Sequence, residues 1–484
     1  MRCPGPRCFP LLVLFTGLLM AACAGGARRG LPSGARDAGA HPPPEGSAAG
    51  EGPFPSTYRP LPSAPLLIHD ATILTGTGER IDHGDLVLRD GRVAAVGKNL
   101  ARPEGGTMVD AGGRWVTPGI IDVHSHLGVY PSPRSQAVSD GNEATAPVTA
   151  QVWAEHSIWP QDPQFTRALA GGVTSMMILP GSANLIGGRG VTVKNVRART
   201  MQAMKFPGAP YGLKMACGEN PKRVYGGKGQ APSTRMGNVA GDRAAWIQAE
   251  EYRRKWRQYR KKEAAGEEVD PPQRDLNLDT LAGVLDGAIR VQNHCYRADE
   301  MAVMIDLARE FGYSIAAFHH AVEAYKIADL LAENGICAAM WADWWGFKLE
   351  AEDGIPENVA LVDAAGACAV VHSDSAEGIQ RLNQEAAKAM AAGNHGGIPV
   401  SRERAIAWIT LNAARVLGID RWTGSLEPGK MGDVVLWSGD PFSVYSRTDQ
   451  VFIDGALVYD REDPRFQPRT DFEIDSPRPA PPTP

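Results

Sequence analysis

Trp115-Val116-Thr117-Pro118-Gly119-Ile120-Ile121-Asp122-Val123-His124-Ser125-His126 is the stretch from which the fold is read. Ile120 to Val123 is an apolar run of strand length that ends in a His-X-His triplet. Alternate side chains of a strand face the same way, so His124 and His126 point to one side at its C-terminal end. Two imidazoles so placed are half a site for a divalent metal such as zinc. The plainer reading is two polar residues closing a strand, and the rest of the chain decides between the two.

Downstream, strand and helix signals alternate. Gly172 to Leu179, Leu213 to Ala216, Ala288 to Val291, Ser314 to Phe318, Ile336 to Met340 and Ala369 to Val371 read as strands. Asp299 to Phe311 and Tyr325 to Asn334 read as helices. This alternation predicts a parallel α/β architecture, and its length suits a (β/α)8 barrel, the TIM barrel, with insertions. A doubly wound open sheet is the alternative, but no phosphate-binding glycine fingerprint opens a first strand. Gly187-Gly188-Arg189-Gly190 lacks that spacing and reads as a loop.

Shorter strands flank this middle. Leu66-Leu67-Ile68, Asp85 to Leu88 and Arg92 to Val96, with Asp90-Gly91 as a hairpin turn, lie before it. Asp433 to Trp437 and Gln450 to Ile453, then Asp454-Gly455, lie after it. The expectation is a small β-sandwich built from both ends of the chain, 64–116 and 416–465, around a barrel over 117–415.

The first residues read as a targeting segment. Arg2 and Arg7 precede the apolar stretch Phe9 to Met20, which is too short to span a bilayer. Met20-Ala21-Ala22-Cys23 resembles a bacterial lipobox, with Met20 where leucine is usual; an ordinary secretory signal is the alternative. The expectation is a signal peptide over 1–22, lipidation of Cys23, a flexible tether over 23–63 rich in Gly, Ala, Pro and Ser, and a disordered Pro-rich tail over 466–484. Localisation is then export, with the protein lipid-anchored to the cell envelope.

The chain has 484 residues, and its net charge of -5 does not suit a nucleic-acid partner. The mixed-charge stretch Asp242 to Lys262 reads as an exposed amphipathic helix rather than a nucleic-acid contact. Cys217, Cys295, Cys337 and Cys368 sit in or beside apolar runs and read as small buried residues, with no disulfide framework.

His294, His320 and Asp374 each follow an apolar strand, as His124 and His126 do. In a parallel barrel such ends converge on the face where active sites form, and imidazole and carboxylate suit zinc, manganese, iron or nickel. Together with the exit segment Gly424-Ser425-Leu426-Glu427-Pro428-Gly429-Lys430-Met431-Gly432-Asp433-Val434-Val435, these residues resemble the metal-dependent amidohydrolase superfamily over about Leu66 to Asp460. In style the chain is similar to imidazolonepropionase-like and prolidase-like members. His320-Ala321-Val322-Glu323-Ala324-Tyr325 and Gly218-Glu219-Asn220-Pro221-Lys222-Arg223 look like motifs of a branch there.

The resemblance implies that His124, His126, His294 and His320 are metal ligands and that Asp374 is both ligand and general base. It implies one or two divalent ions, zinc first. Two-metal members use a bridging carboxylate, often a carboxylated lysine. Lys214 and Glu219 are the candidates, and their odd separation allows only one of them in an unbroken strand. Asn220 is a candidate substrate contact; Trp344, Trp345 and Phe347 either line a substrate pocket or form a packed aromatic cluster, and Asn184 and Lys194 are further candidate contacts. His319 is expected to point away from His320 as a structural residue, and His372 to line the site or support a ligand. His69, His83, His156 and His395 read as surface or turn residues.

The implied reaction is hydrolysis of a C–N bond in an amide, cyclic amide or dipeptide. A deaminase or imidazolone ring-opening enzyme on the same site is one alternative. A catalytically silent surface lipoprotein that binds a small ligand is another. The expected partners are a small amide or peptide and the membrane through a lipid anchor only, with an oligomer left open.

Overall fold

The structure, a computed structural model, describes residues 53–466. The expected signal peptide, Cys23 and the tail from 467 lie outside the described residues. Strands β1 (Leu66–Leu74), β2 (Arg80–Arg89), β3 (Arg92–Gly97), β4 (Thr107–Asp110) and β5 (Trp115–Pro118) come first. Eight more follow: β6 (Ile120–Ser125), β7 (Val173–Ile178), β8 (Ile186–Lys194), β9 (Tyr211–Ala216), β10 (Ile289–Cys295), β11 (Ile315–His320), β12 (Cys337–Met340) and β13 (Cys368–Val371). β14 (Val434–Trp437), β15 (Thr448–Ile453) and β16 (Ala456–Asp460) close the order.

β6 to β13 form one sheet in sequence order. Its two edge strands meet through loop contacts. The Asp374 N–H donates to the His124 carbonyl at 3.0 Å. The Ser373 N–H and Oγ donate to the Asp122 carboxylate at 3.2 and 2.5 Å. The result is a mixed α/β fold with a nearly closed, barrel-like sheet.

Alternation sorts its apolar residues. Ile121, Val123, Met177, Ala317, Ala339 and Val370 pack together with Ala413, Val416 and Leu417 of the helix Leu411–Leu417. The intervening Ile120, Met176, Phe318, Ala338 and Val371 belong to the larger core shared with the surrounding helices. Strands apolar on both faces are what a sheet covered on both sides requires.

One strand departs from the expected parallel pattern. β8 runs antiparallel to both β7 and β9. The glycine-rich Gly187 to Gly190, read as a loop, lies inside it. A side chain on Gly188 would put its Cβ 2.3 Å from the Val152 carbonyl oxygen, and the backbone there has φ +111°. Glycine inside a strand marks such a close approach.

The reversal also corrects the reading of Lys194. As the last residue of β8 it pairs opposite Ser175, early in β7, at the far end of the sheet from the histidines. Its buried ammonium lies 3.2 Å from Asp433 and 2.8 Å from Asp454, so it ties the barrel-like sheet to the second sheet and contacts no cavity residue.

That second sheet has the order β16-β15-β14-β5-β1-β2-β3, with β4 also on β1, and takes strands from both flanks of the barrel-like sheet. Ile68, Ile73, Leu86, Val116, Leu436 and Phe452 form its own core. Within the expected tether over 23–63, described residues contact the folded chain. The Thr57 N–H donates to the Gln202 carbonyl, Tyr58 bonds Asp454, and Phe54 meets Trp153 edge-on.

The segment Asp242 to Lys262 lies in the helix Arg235–Ala264. Its Asn238, Asp242, Ala245, Trp246, Ala249 and Tyr252 form a buried stripe. Its outward charges pair within the chain, Arg243 with Glu310 and Arg257 with Asp286.

The four described cysteines correct the expectation of free thiols: Cys217 pairs with Cys295, and Cys337 with Cys368. Sequence separations of 78 and 31 residues vanish because β9 and β10, and β12 and β13, are adjacent parallel strands in register. Alkylation of the denatured, unreduced protein followed by peptide mass analysis should find these four thiols unmodified. Full alkylation before reduction would exclude both bridges.

Candidate metal centre

The histidines gather where β6, β10 and β11 end, next to the loop after β13. Ile121 and Val123 face the inner cluster, so strict alternation would turn His124 outward. The register of β6 against β7 slips between Asp122 and Ser125. Beyond that slip, His124 Nε2 lies 3.0 Å from Lys214 Nζ and 3.5 Å from Asp374 Oδ1. His126 Nε2 lies 3.1 Å from the same carboxylate oxygen. The His126 Nδ1–H donates to the Leu179 carbonyl at 2.8 Å, which leaves Nε2 free for a cation.

His319 and His320 were expected to face opposite ways, yet both adjoin the centre. His319 keeps the inner side that it shares with Ala317. At His320 the chain takes φ +72°, followed by +37° at Ala321, and alternation stops. Such angles are costly for residues with side chains and gather at functional sites. Asp374 takes φ +50° in the same way.

His320 Nδ1 ends 3.9 Å from Asp374 Oδ2, and the His294 ring centre is 4.5 Å from that of His320. The His372 Nε2 accepts the His320 N–H at 3.1 Å, so His372 supports the loop, as one of its two readings had it. His319 is a supporting residue as well. Its ring joins His124 and Gln292 in a chain of hydrogen bonds.

Of the two bridging candidates, only Lys214 reaches the cluster. It is fully buried on β9. Glu219 opens the helix Glu219–Gly226, and its carboxylate pairs with Lys348 at 3.5 Å instead. The Asn220 amide donates to His294 Nε2 at 3.2 Å and to Ser182 Oγ, and its oxygen accepts from Lys348. It therefore supports a candidate ligand and does not line the cavity as a substrate contact. Asn184 is likewise internal, bonded to Thr149, Tyr225 and the Glu143 carbonyl.

A cavity of about 750 Å³ opens beside His126 and Asp374. Tyr130, Arg134, Gln164, Trp344 and Glu377 are among its walls. Trp345, the expected aromatic contact, packs against Gly354 instead. Tyr130, Arg134 and Gln164 carried no motif that sequence reading could seize. Asp122 did carry a signal, because an acid inside an apolar strand must find hydrogen-bond donors when buried.

Burial sets the protonation of the cluster. It holds the imidazoles of His124, His294, His319 and His320 well below their usual range, with Lys214 adding to the effect in each. Burial also pushes Lys214 down to about 7, opposed by Asp374. For Asp374, burial favours the neutral acid, but its neighbours His126, His372 and Lys214 outweigh it and hold the carboxyl below its usual range. Neutral imidazoles around an ionised carboxylate are the donor set of a divalent metal.

The fit to such an ion rests on two further observations. Ligand atoms of His124, His320 and Asp374 all lie within 4.8 Å of one another. The buried Nδ1 atoms of His294 and His320 have no hydrogen-bond partner among the described residues. A second trio, His124, His319 and His372, is equally close; there His124 and His319 bond each other, and His372 Nε2 accepts the His320 N–H.

A model of the amidohydrolase family matches residues 274–458. A solved amidohydrolase from Thermotoga maritima MSB8 is 37% identical, with a TM-score of 0.74; the match covers 82% of this chain and 100% of that one. The chain belongs to the amidohydrolase family. Amidohydrolase tasK of Hapsidospora irregularis is 33% identical over 398 residues, 78% of this chain and 40% of that protein. The chain thus spans about two-fifths of the length of that curated relative. A prolidase solved with N-methylphosphonate-L-proline is 16% identical with a TM-score of 0.51, and shares the fold alone. Members of this family are hydrolases that generally use divalent metals.

The Asp122 seam can be tested in this amidohydrolase. Asp122→Ala leaves the Ser373 and His124 N–H groups without their acceptor, beside Asp374, while Ser373 Oγ keeps the His124 carbonyl. The expected loss is about 1–3 kcal/mol, the cost of a stranded buried donor. Denaturant midpoints read it, and an unchanged midpoint would mean that the seam contributes nothing.

Proposed function

We propose that the chain is an exported, metal-dependent hydrolase of a C–N bond in an amide, cyclic amide or dipeptide. The observation that carries this reading is the convergence of His124, His126 and His320 on Asp374, with His294 against His320, beside an open cavity. A volume of about 750 Å³ suits a small molecule. Its fold in this proposal is a (β/α)8 barrel with β8 reversed, and a small β-sandwich made from both flanks.

One or two divalent ions, zinc first, would be held by His124, His126, His294, His320 and Asp374, with Lys214 as the bridge once carboxylated. Such an ion supplies a Lewis acid for the scissile carbonyl and lowers the pKa of attacking water. Asp374 accepts the proton of that water and returns it to the leaving amine. Its carboxylate is ionised and its backbone is fixed by the His124 carbonyl, so it is ready to act as a base. Tyr130 and Trp344 offer apolar walls to the substrate, and Arg134 and Glu377 offer charge at the rim.

Two disulfides favour an oxidising compartment, which supports export. Lipidation at Cys23 and anchoring to the cell envelope complete the reading.

The test uses protein lacking its first 52 residues and a panel of N-acyl amino acids, Xaa-Pro dipeptides and cyclic imides. Elemental analysis should find one or two divalent ions per chain. Asp374→Asn should keep much of the metal and lose at least about 100-fold in kcat, the scale of a lost general base. Undiminished turnover in that variant would remove Asp374 from the chemistry.

A further inference from the structure

His319 and Gln292 make no contact with the cavity, yet they form a hydrogen-bonded chain that ends on His124. Its direction follows from the donors. The Gln292 side-chain amide donates to the Val416 carbonyl at 3.4 Å, which turns its oxygen toward His319. That oxygen lies 2.7 Å from His319 Nε2. An amide oxygen only accepts, so His319 Nε2 carries the proton.

In a neutral imidazole the other nitrogen is then an acceptor. His319 Nδ1 lies 2.9 Å from His124 Nδ1, so the proton between them belongs to His124. His124 Nε2 is therefore bare, and it is this atom that faces Lys214 and Asp374. His319 and Gln292 are fully buried, so no water competes for these positions.

We propose that His319, itself oriented by Gln292, is a positioning residue that holds His124 in the Nδ1-protonated tautomer and so presents its Nε2 lone pair to an incoming metal. The inference rests on the metal-centre reading given above. It explains why a third histidine sits behind the His-X-His pair. His126 obtains the same tautomer from the Leu179 backbone carbonyl, whereas His124 obtains it from a side chain three strands away in space. Without the chain, a neutral His124 could protonate Nε2 and would have to exchange tautomers before binding.

The test pairs a spectroscopic readout with an affinity. Nitrogen-15 NMR of the metal-free protein, selectively labelled at histidine, distinguishes the two tautomers; loss of one signal in His124→Asn assigns the residue. Wild type should show His124 protonated on Nδ1. In His319→Leu that signal should move toward a tautomer mixture, and zinc affinity, measured by chelator competition, should fall about 10- to 100-fold, as for other supports of metal-bound histidine.

His319→Asn sets an amide oxygen near the old Nδ1 position and should restore affinity to within a few-fold. Gln292→Leu removes only the outer link and should weaken zinc less than His319→Leu does. A merely structural role would weaken both His319 variants alike. Wild-type His124 protonated on Nε2, or His319→Leu binding zinc as tightly as wild type, would overturn the inference. If wild type bound no metal, the metal-centre reading would fail, while the tautomer measurement would still decide this one.

Discussion

One backbone hydrogen bond, from the Asp374 N–H to the His124 carbonyl, sets the geometry of everything around it. It joins the first and last strands of the barrel-like sheet at the end where the histidines lie. It also fixes the distance from the carboxylate of Asp374 to the imidazoles of His124 and His126. Ser373 and Asp122 brace the same junction. The closure of the sheet and the assembly of the site are therefore one event. A chain that failed to bring β13 alongside β6 would lose the candidate metal centre together with the fold.

Burying so many polar groups has a cost, and the structure meets it unevenly. His124, His126 and His319 have partners for their inner nitrogens, from a carbonyl, an amide and one another. Asp122 is pushed up to about 7 by burial, and the donors from Ser373 and His124 work against that shift. His294 and His320 each retain a buried nitrogen with nothing among the described residues to bond. Polar atoms that are desolvated and left open are expensive unless a ligand completes them. The open Nδ1 of His320 faces Asp374, 3.9 Å from Oδ2. That is the pattern of a site organised to receive a cation.

Much of this was legible in the sequence because strand ends are local signals. An apolar run followed by histidine or aspartate reports its own place on a parallel sheet, so His124, His126, His294, His320 and Asp374 could be placed near one another. What escaped depended on contacts between distant segments. The reversal of β8 was hidden because its glycines imitate a loop, and with it went the true position of Lys194. The disulfides depend on the neighbouring register of strands that are 31 and 78 residues apart. The inward reach of both His319 and His320 depends on a positive φ that alternation cannot anticipate. The choice between Lys214 and Glu219 depended on where β9 gives way to a helix.

In the proposed function these imidazoles and one carboxylate share a cation. Crystals of the zinc-loaded protein, measured on both sides of the zinc absorption edge, test it directly. An anomalous peak is expected within bonding distance of His124 Nε2, His126 Nε2 and Asp374. An anomalous map with no peak among these side chains, from protein that carries stoichiometric zinc, would contradict it.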